Sequence, residues 1–402
     1  MRIAMIATRF AGLDGVSLET AKVAEALERE GHEIVWFAGE LGPEFKPGVE
    51  YPPAFFGGDR NLDLEHRAFD AGDPDEVRAE IDEAAAGIAD EFDVFLDRYS
   101  PDALVIQNAW AIPMQLPLAV ALARKAEEHQ LPTIAHHHDF SWERERFSSP
   151  VVPNLLNSYF PPVGDHIAHV VINQDARDEL MRRRDINAVV LPNVMDFEEE
   201  ALTSDGGDAF RRLAGLDSGT TILLQPTRVI PRKGIELSIE LASRLDGEVA
   251  LVVTHPDDLD EEYWSELEQL ADERGVDLRL VDAGRSLDSL ASAYAAADLV
   301  CFPSVYEGYG NALVETLFFR RPLFVNRYSV YSRDIAPLGV TAIEIDGSVT
   351  EQAVRAAQEW IDQSEATLEI VEHNARIGLR NLSYAAAVDA YRKAFATLGI
   401  EI

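Results

Sequence analysis

Short apolar runs rich in β-branched residues recur along the chain: RIAMIAT (2–8), EIVWFAG (33–39), DALVIQ (102–107), PTIAHH (132–137), AHVVIN (168–173) and AVVLP (188–192). Between most of them the apolar positions change to a helical period. In SLETAKVAEALEREG (17–31), Thr20, Val23, Ala24 and Leu27 fall at i, i+3, i+4 and i+7, and Gly31 marks the stop. Strand and helix in alternation predict a parallel, doubly wound sheet. An acidic, Gly-rich interruption, DFEEEALTSDGGDAF (196–210), precedes a second series: TTILLQP (220–226), EVALVVT (248–254), VDLRLVD (276–282), DLVCFPS (298–304), RPLFVN (321–326) and TAIEI (341–345). The pattern therefore predicts two α/β halves, 1–195 and 196–380. The last helical stretches, EQAVRAAQEWID (351–362) and SYAAAVDAYRKAFATLG (383–399), have no strand between them. The segment 381–402 is accordingly expected to be a helix that crosses back to the first half.

The length of 402 residues agrees with two domains of ~100–200 residues each, with a cleft between them as the default ligand site. No apolar run reaches the ~18–20 residues of a membrane span, and MRIAMIATRF leads straight into a strand, which points to a cytoplasmic protein without an integral membrane segment. A single cysteine, Cys301, sits inside an apolar run and reads as buried filler. The formal charge is −36, with acids spread over the whole chain, and this argues against nucleic acid or an anionic membrane as partner. A dispersed Asp/Glu coat suits solubility in high salt and a halophilic or salt-accumulating host. Against that field, any Lys or Arg in a Gly-flanked turn stands out, because an anionic substrate needs local cations.

In sheets of this kind ligands bind beyond the carboxyl ends of the strands. After the first strand of the second half comes QPTRVIPRKGIELSI (225–239), where Arg228 and Lys233 precede Gly234 and a helix start, a combination suited to a diphosphate. A solvated basic turn fits the same residues, and the GxxxxGK[ST] loop is absent. After the run 299–302, PSVYEGYGNALVETLF (303–318) places Glu307 and Glu315 on either side of a turn. There Gly308 and Gly310 permit close backbone approach, and a helix begins near Asn311. A carboxylate is a bidentate acceptor for vicinal hydroxyls, as on a ribose or hexose, while the helix dipole explains an acid such as Glu307 equally well. Glu315, about a turn inside the helix and flanked by apolar residues, needs a partner.

In the first half, LPTIAHHHDFSWERERF (131–147) puts His136 and His138 on one strand face and His137 on the other. Consecutive residues of an extended chain cannot all converge, so a sugar-contacting His138 with Asp139 is preferred to a metal centre. The loop TRFAGLDGVSLE (8–19) lacks the GxGxxG spacing of a dinucleotide site; Asp14, Gly15 and Val16 are candidate substrate contacts there, with Ser17 as a helix cap. LPNVMDFE (191–198) carries a turn at the expected hinge, and Asn173-Gln174 fits a helix cap or a ligand contact. Asp257-Asp258 reads as an acidic helix start rather than a metal pair.

Taken together, E-G-Y-G-N-A-L-V-E at 307–315, R-V-I-P-R-K-G at 228–234 and P-N-V-M-D at 192–196 resemble the retaining glycosyltransferases of family 4, also called group 1 glycosyltransferases. The resemblance covers nearly the whole chain. It implies a GT-B fold, with two facing Rossmann-like domains, an acceptor-binding one at 1–195 and a nucleotide-sugar-binding one at 196–380, and a cleft between them. It also implies that Arg228 and Lys233 hold the donor diphosphate and that Glu307 contacts the donor sugar. Gly308, Gly310, Asn311, Ala312 and Leu313 would support sugar and phosphate, Glu315 the ribose, and His138 would lie near the reacting sugar. The usual Gly-Gly pair of the mobile first loop stands here as Asp14-Gly15.

A nucleoside diphosphate departing from an oxocarbenium-like sugar needs cations on its oxygens more than a protein nucleophile. The resemblance further implies retention of configuration, no cofactor and no obligatory metal. Arg144 and Arg146 beside the histidines are candidates for a carboxylate- or phosphate-bearing acceptor, though ion pairs with Glu143 and Glu145 explain them too. The reading is a hexosyltransferase acting from a GDP-mannose or UDP-, ADP- or GDP-glucose type donor on a small anionic acceptor, such as a glycerate-type compatible solute. A nucleotide-sugar epimerase, a glycoside phosphorylase and a non-catalytic nucleotide-sugar binder are the alternatives, and oligomeric state has no signature in the sequence.

Overall fold

The computed structural model describes residues 1–12, 14–199, 205–256, 259–283, 287–362 and 364–402. The expected acidic helix start at Asp257-Asp258 lies outside them. The chain divides into two compact units, Met1–Val194 with Tyr384–Ile402, and Met195–Ser383.

Unit 1 is built on seven parallel strands, β1 (Arg2–Phe10), β2 (Glu33–Leu41), β3 (Gly48–Glu50), β4 (Ala103–Gln107), β5 (Thr133–His137), β6 (Ile167–Val171) and β7 (Ala188–Val190), in the order β3-β2-β1-β4-β5-β6-β7. Every inner strand is covered on both faces, which is why its sequence reads as a continuous apolar run. Successive residues of β1 feed opposite layers: Ala4 and Ile6 pack into one core, Ile3, Met5 and Ala7 into the other. The first layer is closed by the helix Pro74–Tyr99, which Asp73 caps through the Asp75 and Glu76 N–H groups, and which buries Val77, Ile81, Ala85, Ile88 and Phe92 on one stripe. The second layer includes Ala387, Val388, Tyr391, Ala394 and Phe395 of the helix Tyr384–Thr397. The chain's last helix is thus an integral wall of unit 1, beginning at Tyr384, one residue into the helical stretch 383–399 and three after the expected boundary at 381. The edge strand β3 escapes a reading of periodicity because only three residues pair, Trp36 opposite Gly48 in the first rung.

Unit 2 repeats the plan with β8 (Thr221–Arg228), β9 (Val249–His255), β10 (Asp277–Leu280), β11 (Leu299–Phe302), β12 (Leu323–Asn326) and β13 (Ile343–Ile345), ordered β10-β9-β8-β11-β12-β13. All its pairings are parallel. In each unit the chain runs outward from its first strand, then returns to build the other side, so the order reverses between β1 and β4 and again between β8 and β11. Those reversals leave a crevice at the carboxyl ends of the paired strands. Among the described residues, no helix is long and apolar enough to cross a membrane.

Phe395 is fully buried on the last helix. Phe395→Ala is expected to destabilise unit 1 by about 3–5 kcal/mol through lost burial and the cavity left behind. Urea unfolding followed by circular dichroism checks this, and a loss below about 1 kcal/mol would show that the helix is not part of the cooperative core.

Candidate functional site

The reversal in unit 2 brings two distant loops together. After β8 a tight turn, Pro231–Lys233, ends in Gly234 at φ +63°, and a Cβ there would lie 2.5 Å from the Pro303 carbonyl oxygen on the loop after β11. Only glycine allows that approach. The Val305 N–H then donates to the Arg232 carbonyl at 2.8 Å, stitching the loops to each other. The buried Gln225 of β8 donates to the Lys233 carbonyl at 3.0 Å and accepts from the Ser238 hydroxyl at 2.6 Å, which holds the turn from below.

On this frame Lys233 Nζ meets Glu307 Oε1 in an ion pair between side chains only 11 % and 8 % exposed. Arg232 Nη1 donates to Glu307 Oε2 at 2.8 Å and to the Tyr306 carbonyl at 3.0 Å, and its guanidinium lies 5.2 Å from the Tyr306 ring centre. Burial alone would raise the Glu307 pKa, but Lys233 and Arg232 outweigh it and hold the carboxyl below its ordinary value. Burial lowers the Lys233 pKa against the pull of Glu307, and the charges of Arg232 and Arg228 add to the lowering. Arg228 itself is exposed at the end of β8. Two cations on one carboxylate, with Arg228 acting on Lys233, leave a local excess of positive charge on a chain of formal charge −36.

Glu315 lies half-buried in the helix Asn311–Phe318, where the Tyr294 hydroxyl donates to its Oε2 at 2.8 Å. Burial, followed by the nearby Glu315, raises the Tyr294 pKa well above normal, so it serves as a neutral donor. Gly310 caps the helix at φ +113°, where a Cβ would come within 2.8 Å of the Phe302 ring. Asn311 and Ala312 open the helix beside Gly308. Leu313 departs from the expected grouping: its side chain is core and its N–H donates to the Gly310 carbonyl at 3.0 Å, so it has nothing to offer a ligand directly.

In unit 1 the loops after β1, β4 and β5 carry the remaining candidates. His138 Nε2 bonds Gln107 Oε1 at 2.9 Å, and its backbone N–H donates to Asn108 Oδ1 at 2.9 Å. Burial lowers the His138 pKa, with Glu19, Asp139 and Asp14 opposing. The three histidines diverge as an extended strand requires: His136 stacks on His138 at 4.6 Å, whereas His137 turns to His169, with 3.0 Å between ring nitrogens. Burial drives the His136 and His137 pKa values well down and takes His169 to about 4.

The first loop corrects an expectation. The helix Gly15–Arg29 is capped by Asp14, not Ser17: Asp14 Oδ1 accepts from the Val16 and Ser17 N–H groups at 3.1 Å, and Oδ2 from the Ser17 hydroxyl at 2.7 Å. Arg9 also bonds Asp14 at 3.1 Å. Asp14 and Val16 are therefore engaged in the cap, while Gly15 faces open space. Nor do the arginines pair with Glu143 and Glu145. Arg144 binds Asp139, and Arg146 lies 3.5 Å from Glu65, drawn to a carboxylate that its own loop does not supply. Asn173 accepts from the Ala176 N–H at 2.7 Å, which is the capping outcome.

The segment 208–377 matches the family model described as glycosyl transferases group 1. Over 95 % of its length the chain is 31 % identical to the mannosylglucosylglycerate synthase of Thermotoga maritima, covering 97 % of that protein. This chain belongs to the group 1 glycosyltransferases. The mannosylglucosylglycerate synthase of Petrotoga mobilis is 29 % identical over 87 % of the chain and 88 % of its own length. Among solved structures, Anabaena HepE in complex with UDP and glucose aligns with a TM-score of 0.69 at 15 % identity, covering 99 % of this chain and 100 % of that one. A Rickettsia africae glycosyltransferase aligns at 0.71 and 14 % identity, over 99 % and 98 % of the two chains. These likenesses establish the GT-B fold class for this glycosyltransferase.

Several functional candidates had no motif to mark them. Arg232 sits within the basic turn, yet only the loop contact reveals its pairing with Glu307. Tyr294 and Glu19 lie on ordinary helical stretches; Glu19 is buried and accepts from the Val194 N–H at 3.1 Å. Gln107-Asn108 did carry a signal, two amides at the carboxyl end of a strand.

Replacing Glu307 by Gln leaves a buried ammonium beside two guanidinium groups. Glu307→Gln is expected to cost about 3–5 kcal/mol at neutral pH, the penalty of stranding a buried charge. Because the folded pKa of Glu307 is depressed, its contribution is complete above the ordinary carboxylate pKa and is lost as pH falls through the folded value. Unfolding curves of wild type and variant should therefore converge as the pH is lowered, and a gap independent of pH would rule out the charged pair.

Proposed function

We propose that this glycosyltransferase moves a mannosyl group from a nucleotide sugar of the GDP-mannose type to a hydroxyl of a small anionic glycerate glycoside, with retention of configuration and without a metal ion. Unit 2 takes the donor and unit 1 the acceptor, as in family 4. The observation that carries the donor half is the buried Lys233–Glu307–Arg232 cluster at the strand reversal of unit 2. Similarity along 95 % of the chain to a protein named for making mannosylglucosylglycerate supports the acceptor.

The chemistry follows from charge. As the glycosidic bond to the diphosphate breaks, negative charge develops on the leaving oxygens and positive charge on the sugar ring. Lys233 and Arg228 stabilise the leaving group. Glu307 carries its charge at neutral pH and, held by Arg232, accepts hydrogen bonds from the donor sugar; its role is positioning rather than proton abstraction. The leaving phosphate takes the acceptor proton on the face from which it departs. Glu315, oriented by Tyr294, accepts from the ribose hydroxyls. A sugar acid formed this way is an electrolyte-like compatible solute, in keeping with an acidic, salt-tolerant surface.

The test is incubation of the purified protein with GDP-mannose, or with UDP-, ADP- or GDP-glucose, and glycerate or glucosylglycerate, in high salt with and without EDTA. Nucleoside diphosphate release that requires an acceptor, with an α-linked product by NMR and no effect of EDTA, is expected. Lys233→Ala and Arg228→Ala should each lower kcat/KM by roughly 10²–10³-fold. Near-wild-type rates in both would remove the diphosphate assignment. Sugar phosphate formed from a glycoside and phosphate would identify a phosphorylase, epimerised donor without acceptor an epimerase, and tight donor binding without turnover a sensor.

A further inference from the structure

Around His138 the hydrogen bonds have a direction. Gln107 Oε1 can only accept, so the 2.9 Å contact requires the proton of the His138 imidazole to sit on Nε2. With its oxygen turned to His138, the same amide presents Nε2 to the Tyr391 hydroxyl at 3.4 Å. Tyr391 in turn lies 3.1 Å from His136 Nδ1, the one ring nitrogen available to take its proton. Gln107, Tyr391 and His136 are all buried, so these contacts form one chain inside the core of unit 1. The backbone of His138 is fixed independently: Asn108, at φ +59°, accepts its N–H through Oδ1 and donates through Nδ2 to Asp139 Oδ1 at 2.8 Å.

We infer that Gln107, Asn108 and Tyr391 are positioning residues that hold His138 as the Nε2-protonated, neutral tautomer, so that it meets the substrate with Nδ1 as a hydrogen-bond acceptor. His138 Nδ1 has no hydrogen bond among the described residues, and the groups whose charge acts on the ring are Glu19, Asp139 and Asp14. The ligand implied at Nδ1 is a hydroxyl donor, the chemistry of a sugar. Tyr391 belongs to the helix Tyr384–Thr397, so the end of the chain sets the protonation pattern of a residue that lies 253 positions earlier, the separation of 391 from 138. The backbone anchor through Asn108 keeps His138 in place while the Gln107–Tyr391 chain selects which nitrogen is free.

The inference rests on the proposed role of His138 near the reacting sugar, and its test does not depend on that role. Histidine-selective ¹⁵N labelling of the full chain, with the His138 signals assigned by their disappearance in His138→Asn, reads the tautomer directly. The expected spectrum has a pyrrole-like Nε2 and a pyridine-like Nδ1 at neutral pH. Gln107→Leu, which removes the acceptor, and Tyr391→Phe, which keeps the ring in the core but removes the hydroxyl, should shift both signals toward averaged values. In the transfer assay each variant should lose on the order of ten- to a hundredfold in kcat with a smaller change in donor KM, the cost of a misplaced group. Gln107→Glu, which restores the acceptor, should recover a pyrrole-like Nε2. A pyridine-like Nε2 in the wild type, or unchanged His138 signals in both folded variants, overturns the inference. The expected tautomer without any glycosyl transfer would support the positioning chain and count against the proposed reaction instead.

Discussion

Reversal of the strand order between β8 and β11 places the loops after these two strands side by side, and the chemistry of unit 2 depends on that adjacency. Parallel strands cannot be joined by a short hairpin, so residues 74 positions apart, Lys233 and Glu307, become neighbours only through the sheet. Gly234 makes the approach possible, since any side chain there would collide with the Pro303 carbonyl. The buried ion pair would be unfavourable if Glu307 had one partner in a poorly fitted setting; a second cation, Arg232, occupies its other oxygen. The result is a carboxylate held by two cations at once, in direct contact with a lysine whose side chain is almost as buried as its own.

Unit 1 uses the same topology for a different electrostatic purpose. Its reversal lies between β1 and β4, and the groups gathered beyond β4 and β5 are mostly neutral: imidazoles whose protons burial removes, amides, and a phenol. The acids nearby are already engaged: Asp14 in capping a helix, Asp139 with Arg144 and Asn108, and the buried Glu19 with Lys22 and the Val194 N–H. One unit thus carries concentrated positive charge suited to a diphosphate, and the other carries oriented hydrogen bonds suited to hydroxyl groups. Such a division suits a reaction in which charge develops on one substrate and is read by shape and hydrogen bonding on the other.

Where the sequence reading went astray, the cause was competition among equivalent local partners. Ser17 and Asp14 are both good caps; Asp14 prevails because its two oxygens reach two N–H groups and a hydroxyl at once. Arg144 and Arg146 had adjacent glutamates within reach along the chain, yet the turn directs them to Asp139 and Glu65. Leu313 sits in a run whose neighbours open a helix N-terminus, but the glycine cap consumes its N–H.

Twelve of the strands and the loops that follow them were legible in the sequence, because a strand buried on both faces must be an unbroken apolar run and a helix on its surface must keep a 3.6-residue period. Residue type and position after a strand were enough to name Arg228, Lys233, Glu307, Glu315 and His138 as candidates. What tertiary structure alone decided was partnership: Arg232 with Glu307, Tyr294 with Glu315, and Tyr391 with Gln107 and His136. Periodicity reports which face of an element is buried; it carries no record of which distant side chain lies against that face, since such contacts are made by sheet order and layer packing rather than by neighbours along the chain.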